Sequence, residues 1–211
     1  DFVKNFTNIK NFLDIQKQIA GTAVPIDVIK YNDSYSINMI NIGADCDVVV
    51  RSNELKDAGK ASGALSYAIG ALQILPKGPK YKLAYTIDGE EVEDDFMLVA
   101  VANGQFCGGG FKSCPKASLT DGLMDIGIVK PCTGAKLIQM LGKYRFGTHL
   151  QDKDADKYVR YVQLSEFDLR PISPCVVSVD GEVSDFTPMH FSIVKEGINI
   201  VIPEGSDFMY K

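Results

Sequence analysis

The sequence predicts a mainly β protein: an antiparallel β-sandwich with two flanking helices and an N-terminal helix. Three observations carry this. Short segments alternate apolar and polar residues at hairpin spacing, as where Leu83, Tyr85 and Ile87 interleave with Lys82, Ala84 and Thr86. Turn signals such as Asn32-Asp33, Asp88-Gly89 and Asp180-Gly181 separate them. Only two internal stretches, 59–75 and 135–144, carry a helical period.

Taken in order, residues 1–20 read as a helix, dense in Phe2, Phe6, Ile9, Phe12, Leu13, Ile15 and Ile19 and stopped by Gly21. Pro25 opens an extended run to Ile29, which turns at Asn32-Asp33 and returns through Tyr35, Ile37, Met39 and Ile40 as a hairpin. Leu65, Ile69, Leu72 and Ile74 mark the first internal helix, which Pro76 ends. Strands follow at 81–87 and 92–103, then a glycine-rich irregular stretch from 104 to 122 and a strand at 123–129. Leu137, Met140, Leu141 and Tyr144 form the stripe of the second helix, and 151–157 is a charged loop. Further strands are expected at 158–164, 167–170, 175–179, 191–194 and 198–202. No linker or second core separates residues 23–211; the helix at 1–22 is the one segment open to belonging elsewhere. The first residue is Asp1, and the chain reads as a piece of a longer protein.

Composition narrows the function. The 211 residues are 45% hydrophobic and carry a net charge of −5, which argues against nucleic acid as a main partner. No apolar run approaches the roughly 20 residues of a membrane helix. Five cysteines, none in a C-x-x-C pair, suggest a reducing, cytoplasmic setting. His149 and His190, the only histidines, have no neighbours at ligand spacing and read as structural or surface residues.

Four features offer chemistry. Gly108-Gly109-Gly110 needs positive φ or close backbone approach, in a tight connection or against a ligand, and lacks the Lys-Ser/Thr ending of a phosphate-binding P-loop. Asp121-Gly122 is a turn before a strand, or an aspartate able to hold a hard cation together with main-chain carbonyls. Asp-Gly-Glu occurs twice, at 88–90 and 180–182; both copies suit hairpin turns, and an acid at a strand end can also serve as general base for a hydroxyl. Lys112, Lys116, Lys130, Lys136, Lys143 and Arg145 make either a solvated face or a patch for anionic lipid.

Together, Val101-Ala102-Asn103-Gly104, Gly108-Gly109-Gly110, Pro115, Ala117, Asp121-Gly122-Leu123 and Asp180-Gly181-Glu182 resemble the C-terminal part of the bacterial diacylglycerol kinase-like family, which also includes sphingosine and ceramide kinases. Asp1-Phe2, Ile40–Gly43 and Gly59-Lys60 ahead of Tyr67 extend the likeness over nearly the whole chain. The resemblance implies the C-terminal β-sandwich of the diacylglycerol kinase and NAD kinase-like fold, with Asp1-Phe2 as the end of a Gly-Thr-x-Asn-Asp-Phe stretch whose nucleotide domain is absent. The family reaction transfers the ATP γ-phosphate to a lipid hydroxyl with Mg²⁺. By resemblance, Asp180 takes the hydroxyl proton with Glu182 beside it; Gly108, Gly109 and Gly110 approach the nucleotide; and Asp121, with main-chain oxygens of Ser118 and Leu123, holds Mg²⁺. A lipid substrate in an apolar pocket, peripheral membrane contact and inactivity of the chain alone follow from it. Exposed strand edges leave room for a homodimer. A non-catalytic lipid-binding or interaction module and a nicotinamide-dinucleotide kinase remain as alternatives.

Overall fold

Two six-stranded antiparallel sheets face each other across the main core. A computed structural model describes the chain apart from Ser62, Pro79, Asp88 and Lys211. The first sheet has the order β2-β1-β12-β9-β4-β5, from Ser34–Ser36, Thr22–Tyr31, Met189–Ile202, Glu166–Pro171, Tyr81–Ile87 and Glu90–Phe96. The second runs β11-β10-β3-β6-β7-β8, from Glu182–Asp185, Val176–Val179, Met39–Gly43, Leu98–Ala102, Met124–Val129 and Val159–Leu164. Alternation places one face of each strand inward, so Ile29, Leu83, Tyr85, Phe167 and Phe191 of one sheet meet Ile40, Ile42, Val99, Val101, Met124 and Ile126 of the other.

The outer face of the second sheet is covered by helices α2 (Ala44–Asp57), α3 (Gly63–Ile74) and α4 (Gly134–Phe146). Thr133 caps α4 by accepting from the Lys136 amide, and Gly147, at φ 70°, ends it. Helix α2 is an element the sequence reading passes over: its Val48-Val49-Val50 run has no helical stripe, and the helix forms because Cys46, Val48 and Leu55 find cover once Gly43 turns the chain off β3.

Four expectations need correction. Residues 1–20 are not one helix but two 3-10 turns, Phe2–Asn5 and Ile9–Leu13, followed by α1 (Ile15–Ile19). Asn8 lies at φ 48° and breaks the run, while Asp14 starts α1 by accepting from the amides of Gln16 and Lys17. The first hairpin closes at β2; Met39–Gly43 crosses to the other sheet. The return strand from 92 to 103 is likewise two strands, β5 and β6, which change sheet at Met97. The segments expected at 191–194 and 198–202 instead form one strand, β12, paired with β1 through an irregularity at Asp27.

The N-terminal turns share a small core with the sandwich. Phe6 is fully buried against Phe2, Phe12, Phe208, Ile26, Leu119 and Ile202. Phe6→Ala is expected to cost about 3–5 kcal/mol of unfolding free energy, read from urea denaturation; a loss under about 1 kcal/mol would show that the segment merely rests on the surface.

Candidate functional site

A polar spine at one end of the sandwich joins the motifs that lie far apart in sequence. It begins at Asp27, buried in the β1 irregularity. Its carboxylate accepts the amides of Gly122 (2.7 Å) and Glu196 (2.9 Å), and its own amide donates to the Leu119 carbonyl at 2.8 Å. This pins the Asp121-Gly122 loop to the first sheet. Asn103 leaves the end of β6 and donates through Nδ2 to the carbonyls of Asp27 (2.7 Å) and Ile37 (3.0 Å). The carbonyl of Asn38 accepts the amides of Asn103 and Gly104, both at 2.9 Å, and Asn38 Nδ2 donates to the Phe106 carbonyl at 3.0 Å. At Gly104 a β-carbon would lie 2.8 Å from Asn5 Nδ2 and inside contact distance of Asn38 Oδ1, so the spine requires glycine there.

The far end of the spine is Asp180. It heads a tight hairpin turn, with φ 49° at Asp180 and 105° at Gly181, between β10 and β11. Its Oδ1 accepts from Ser36 Oγ (2.9 Å), Asn38 N (3.1 Å) and Met39 N (2.9 Å), and its Oδ2 from Ile37 N (2.9 Å). A carboxylate oxygen offers two lone-pair sites; three donors crowd Oδ1, and Oδ2, with one, keeps a lone pair free. Glu182 is exposed on the same hairpin and pairs across the turn with Val179, with no side-chain hydrogen bond among the described residues. The first Asp-Gly-Glu copy closes the β4–β5 hairpin, where Ile87 faces Glu90; Asp88 lies outside the described residues.

The glycine run folds back on itself: Cys107 and Phe111 form an antiparallel bridge, and Gly108, Gly109 and Gly110 all have positive φ. Gly109 donates its amide to Asp1 Oδ2 (2.8 Å) and receives Arg145 Nη1 at its carbonyl (3.0 Å). A β-carbon on Gly110 would fall 2.6 Å from Lys4 Nζ and 3.0 Å from Arg145 Nη1. Asp1 and the glycines, motif pieces from distant parts of the chain, are therefore in contact.

Asp121 makes an Asx turn, accepting the Leu123 amide at Oδ1 (3.0 Å), and no other described residue donates to its Oδ2. Burial raises its pKa, with the nearby Asp27 charge adding to the effect. Among the described residues no three His, Cys, Asp or Glu side chains converge as a metal cluster. A single exposed carboxylate with an oxygen to spare suits a cation that keeps most of its water, as Mg²⁺ does.

A cavity of about 520 Å³ lies between the helices and the outer face of the second sheet. Its walls are Ala44 and Val48 of α2, Leu72 of α3, Leu137, Met140, Leu141 and Tyr144 of α4, and Met97, Val129 and Val159 of the sheet. Cys107, Gly108 and Phe111 join it to the glycine loop. Among the described residues Asp45 is the one charged group in this wall, and burial raises its pKa to about 7. Among the described residues, only its chain neighbour Cys46 donates to it, through the amide and the thiol. His149, also in the wall, is buried and pushed down to about 4; its ring is neutral at physiological pH, and its Nδ1 has no hydrogen-bond partner among the described residues. Burial pushes the Cys107 thiol up to about 12, so it acts as an apolar wall group rather than a nucleophile. His190 lies elsewhere, exposed and paired with Asp168.

The basic residues near α4 are drawn onto aromatic faces: Lys112 over Phe106, Lys116 over Tyr161, Lys136 over Tyr158 and Arg145 over Phe111. Lys143 pairs with Asp152.

This arrangement has counterparts among known proteins. A protein of Alcanivorax borkumensis named "Probable lipid kinase YegS-like" is 28% identical over 185 residues, which is 87% of this chain and 60% of that protein. The diacylglycerol kinase of Bacillus subtilis strain 168 is 26% identical over 187 residues, 88% of this chain and 59% of the relative. The chain thus spans about 60% of the length of these relatives. A crystal structure of a diacylglycerol kinase from Bacillus anthracis shares the fold with a TM-score of 0.66 at 20% identity, over 97% of this chain and 63% of that one. Residues 38–202 match the family described as the YegS C-terminal NAD kinase beta sandwich-like domain, and to that family, whose curated relatives here are named lipid and diacylglycerol kinases, the chain belongs.

Proposed function

We propose that this chain is the lipid-side part of an ATP-dependent lipid kinase and that the cavity under α2, α3 and α4 holds the hydrocarbon of a lipid alcohol. The cavity carries the reading. At about 520 Å³ it has the size of a small-molecule site, its wall is almost wholly apolar, and its few polar groups can fix a head group. Asp45 and His149 supply those groups: a hydroxyl can donate to one and satisfy the other, while the chain packs on Leu137, Met140 and Leu141. Leu141→Trp, which fills the cavity, is expected to abolish binding of a fluorescent fatty-chain alcohol by the 211-residue protein at unchanged far-UV circular dichroism. Asp45→Asn is expected to weaken binding about 5- to 30-fold, as loss of a buried hydrogen bond of 1–2 kcal/mol does. Undiminished binding by Leu141→Trp would place the lipid elsewhere.

The reaction follows from the names of the relatives and the family resemblance. ATP and Mg²⁺ supply the phosphoryl group and neutralise its charge when bound. This chain's residues bind the alcohol, exclude water from its chain and accept its proton. The hairpin 180–182 offers two acids of different availability. Glu182 is exposed and makes no side-chain hydrogen bond among the described residues, whereas Asp180 is held by the donors of 36–39, with one lone pair of Oδ2 to spare. In a protein that also carries the nucleotide domain, Asp180→Asn is expected to lower both turnover and melting temperature, and Glu182→Gln to lower turnover alone. Wild-type turnover in both variants would remove the hairpin from the chemistry.

Asp121 is the residue we propose for Mg²⁺, through Oδ2 and the main-chain oxygens of Ser118 and Leu123. Magnesium is expected to raise the melting temperature of the wild-type chain and not that of Asp121→Ala; equal response of the two would dismiss the site. The 211 residues contain no Gly-Gly-Asp-Gly-Thr motif, and we expect no ATP turnover from them alone. A purely lipid-binding module would share the cavity but transfer no phosphate even in the presence of every domain of the full protein.

A further inference from the structure

We propose that Lys4 and Arg145 converge over Gly110 to seat a phosphate group, and that this group is the one a lipid alcohol carries once it has been phosphorylated. The inference rests on the lipid-cavity reading and adds a second subsite, at which the chain holds its product. Gly110 lies at φ 103°, and the point a β-carbon would occupy there is 2.6 Å from Lys4 Nζ and 3.0 Å from Arg145 Nη1. Two cations from distant parts of the chain thus face one point. Like charges so gathered repel; burial, and then the Arg145 charge, hold the Lys4 ammonium below its usual pKa. An anion between the two relieves both effects. Donors remain to bind it. Arg145 gives one N–H to the Gly109 carbonyl at 3.0 Å and lies over the Phe111 ring, which leaves the rest of its fork open. Lys4 gives one to Asp1 Oδ1 at 2.7 Å, and the Gly108 amide has no acceptor among the described residues.

The surroundings favour an anion. The segments that meet here, 2–6, 104–116 and 134–147, carry six Lys and Arg side chains and no Asp or Glu, in a chain of net charge −5. Asp1 is the carboxylate at the seat, and it is spent on Lys4 and on the Gly109 amide. Asp152, beyond the end of α4, is spent on Lys143, and Asp45 lies in the cavity wall. Arginine and lysine with an open backbone amide are the donor set that phosphate oxygens take. The seat also adjoins the cavity. Phe111, whose ring carries Arg145, lines the cavity with Cys107 and Gly108, and Tyr144, next to Arg145 in α4, does the same. Cys107 feels the charges of both Asp45 and Lys4, so one wall residue lies near both. A phosphate is one bond beyond the alcohol oxygen. With that oxygen near Asp45 and the hydrocarbon on Leu137, Met140 and Leu141, the phosphate reaches past Cys107 to the two cations. A free alcohol, which has no charge, gains nothing from them.

Isothermal titration calorimetry of the 211-residue protein with octanol, octyl phosphate and ADP tests this. Octyl phosphate is expected to bind roughly 10- to 100-fold tighter than octanol, the range of a charge-assisted hydrogen bond, and the difference is expected to shrink as salt is added. Arg145→Gln and Lys4→Gln should each remove most of that difference while binding octanol as wild type does, which also shows that the variants are folded. Octyl phosphate bound no tighter than octanol overturns the seat alone, as does an advantage that both variants keep. ADP bound tighter than octyl phosphate, with the loss in the variants confined to ADP, gives the seat to a nucleotide and overturns its assignment to the product. A wild-type protein that takes up neither octanol nor octyl phosphate overturns the lipid-cavity reading and this inference with it.

Discussion

Four donors converge on the carboxylate of Asp180, and the working end of the sandwich is built around that contact. Between β2 and β3 the chain leaves one sheet and enters the other, so the amides of Ile37 and Asn38 have no ladder partner. Buried or half-buried amides must be paired, and a side chain from a distant hairpin supplies the acceptor. Asp27 does the same work at the other end, where the β1 irregularity leaves Gly122 and Glu196 to be satisfied. Asn103 and Asn38 bridge the two. Hydrogen bonds to a charged acceptor are worth roughly twice neutral ones, so the two carboxylates fix loops that glycine-rich sequence would otherwise leave loose.

That rigidity sits beside a region where packing is deliberately incomplete. Between the sheets, phenylalanines and branched residues fill the space. Outside the second sheet, the same kinds of side chain from α4 surround a hollow. The difference lies in how the helices are held off the sheet. Lys136 on Tyr158, Arg145 on Phe111 and the Lys143–Asp152 pair hold α4 at its edges, Tyr144 packs on Phe111 and His149, and Leu137, Met140 and Leu141 face the hollow. Dry hollows of this kind forfeit dispersion contacts along their walls, a deficit that an apolar guest restores. Burial in the same wall pushes the acid of Asp45 toward its neutral form.

Much of the fold was legible. Period-two alternation located nearly every strand, and Asn32-Asp33 and Asp180-Gly181 marked real turns. What alternation does not say is which sheet a strand joins; Met39–Gly43 and Leu98–Ala102 read as continuations of hairpins because their alternation is unbroken at the crossover. Helix α2 was invisible because its run of valines favours a strand by local preference and tertiary cover decides otherwise. Of the site, the motif glycines and acids stood out, but the residues that assemble them did not: Asp27, Asn38 and Asn5 look like ordinary polar residues until the chain is folded. The α4 stripe was readable as buried, yet a stripe facing a hollow and one facing a packed core have the same period.

One turn carrying two acids shows why sequence spacing alone leaves the chemistry open. Asp180 and Glu182 are two residues apart in a tight turn, yet one is bound by four donors and the other by none among the described residues. The first sets the position of the second: the bonds to 36–39 hold the turn against the spine, and the spine reaches the cavity wall through Asn38 and the Phe106 carbonyl next to Cys107. A group that must meet a substrate proton gains from being carried on a rigid support it does not itself provide. On this geometry the Asp-Gly-Glu motif holds one anchored acid and one exposed acid, separated by the glycine that lets the turn close.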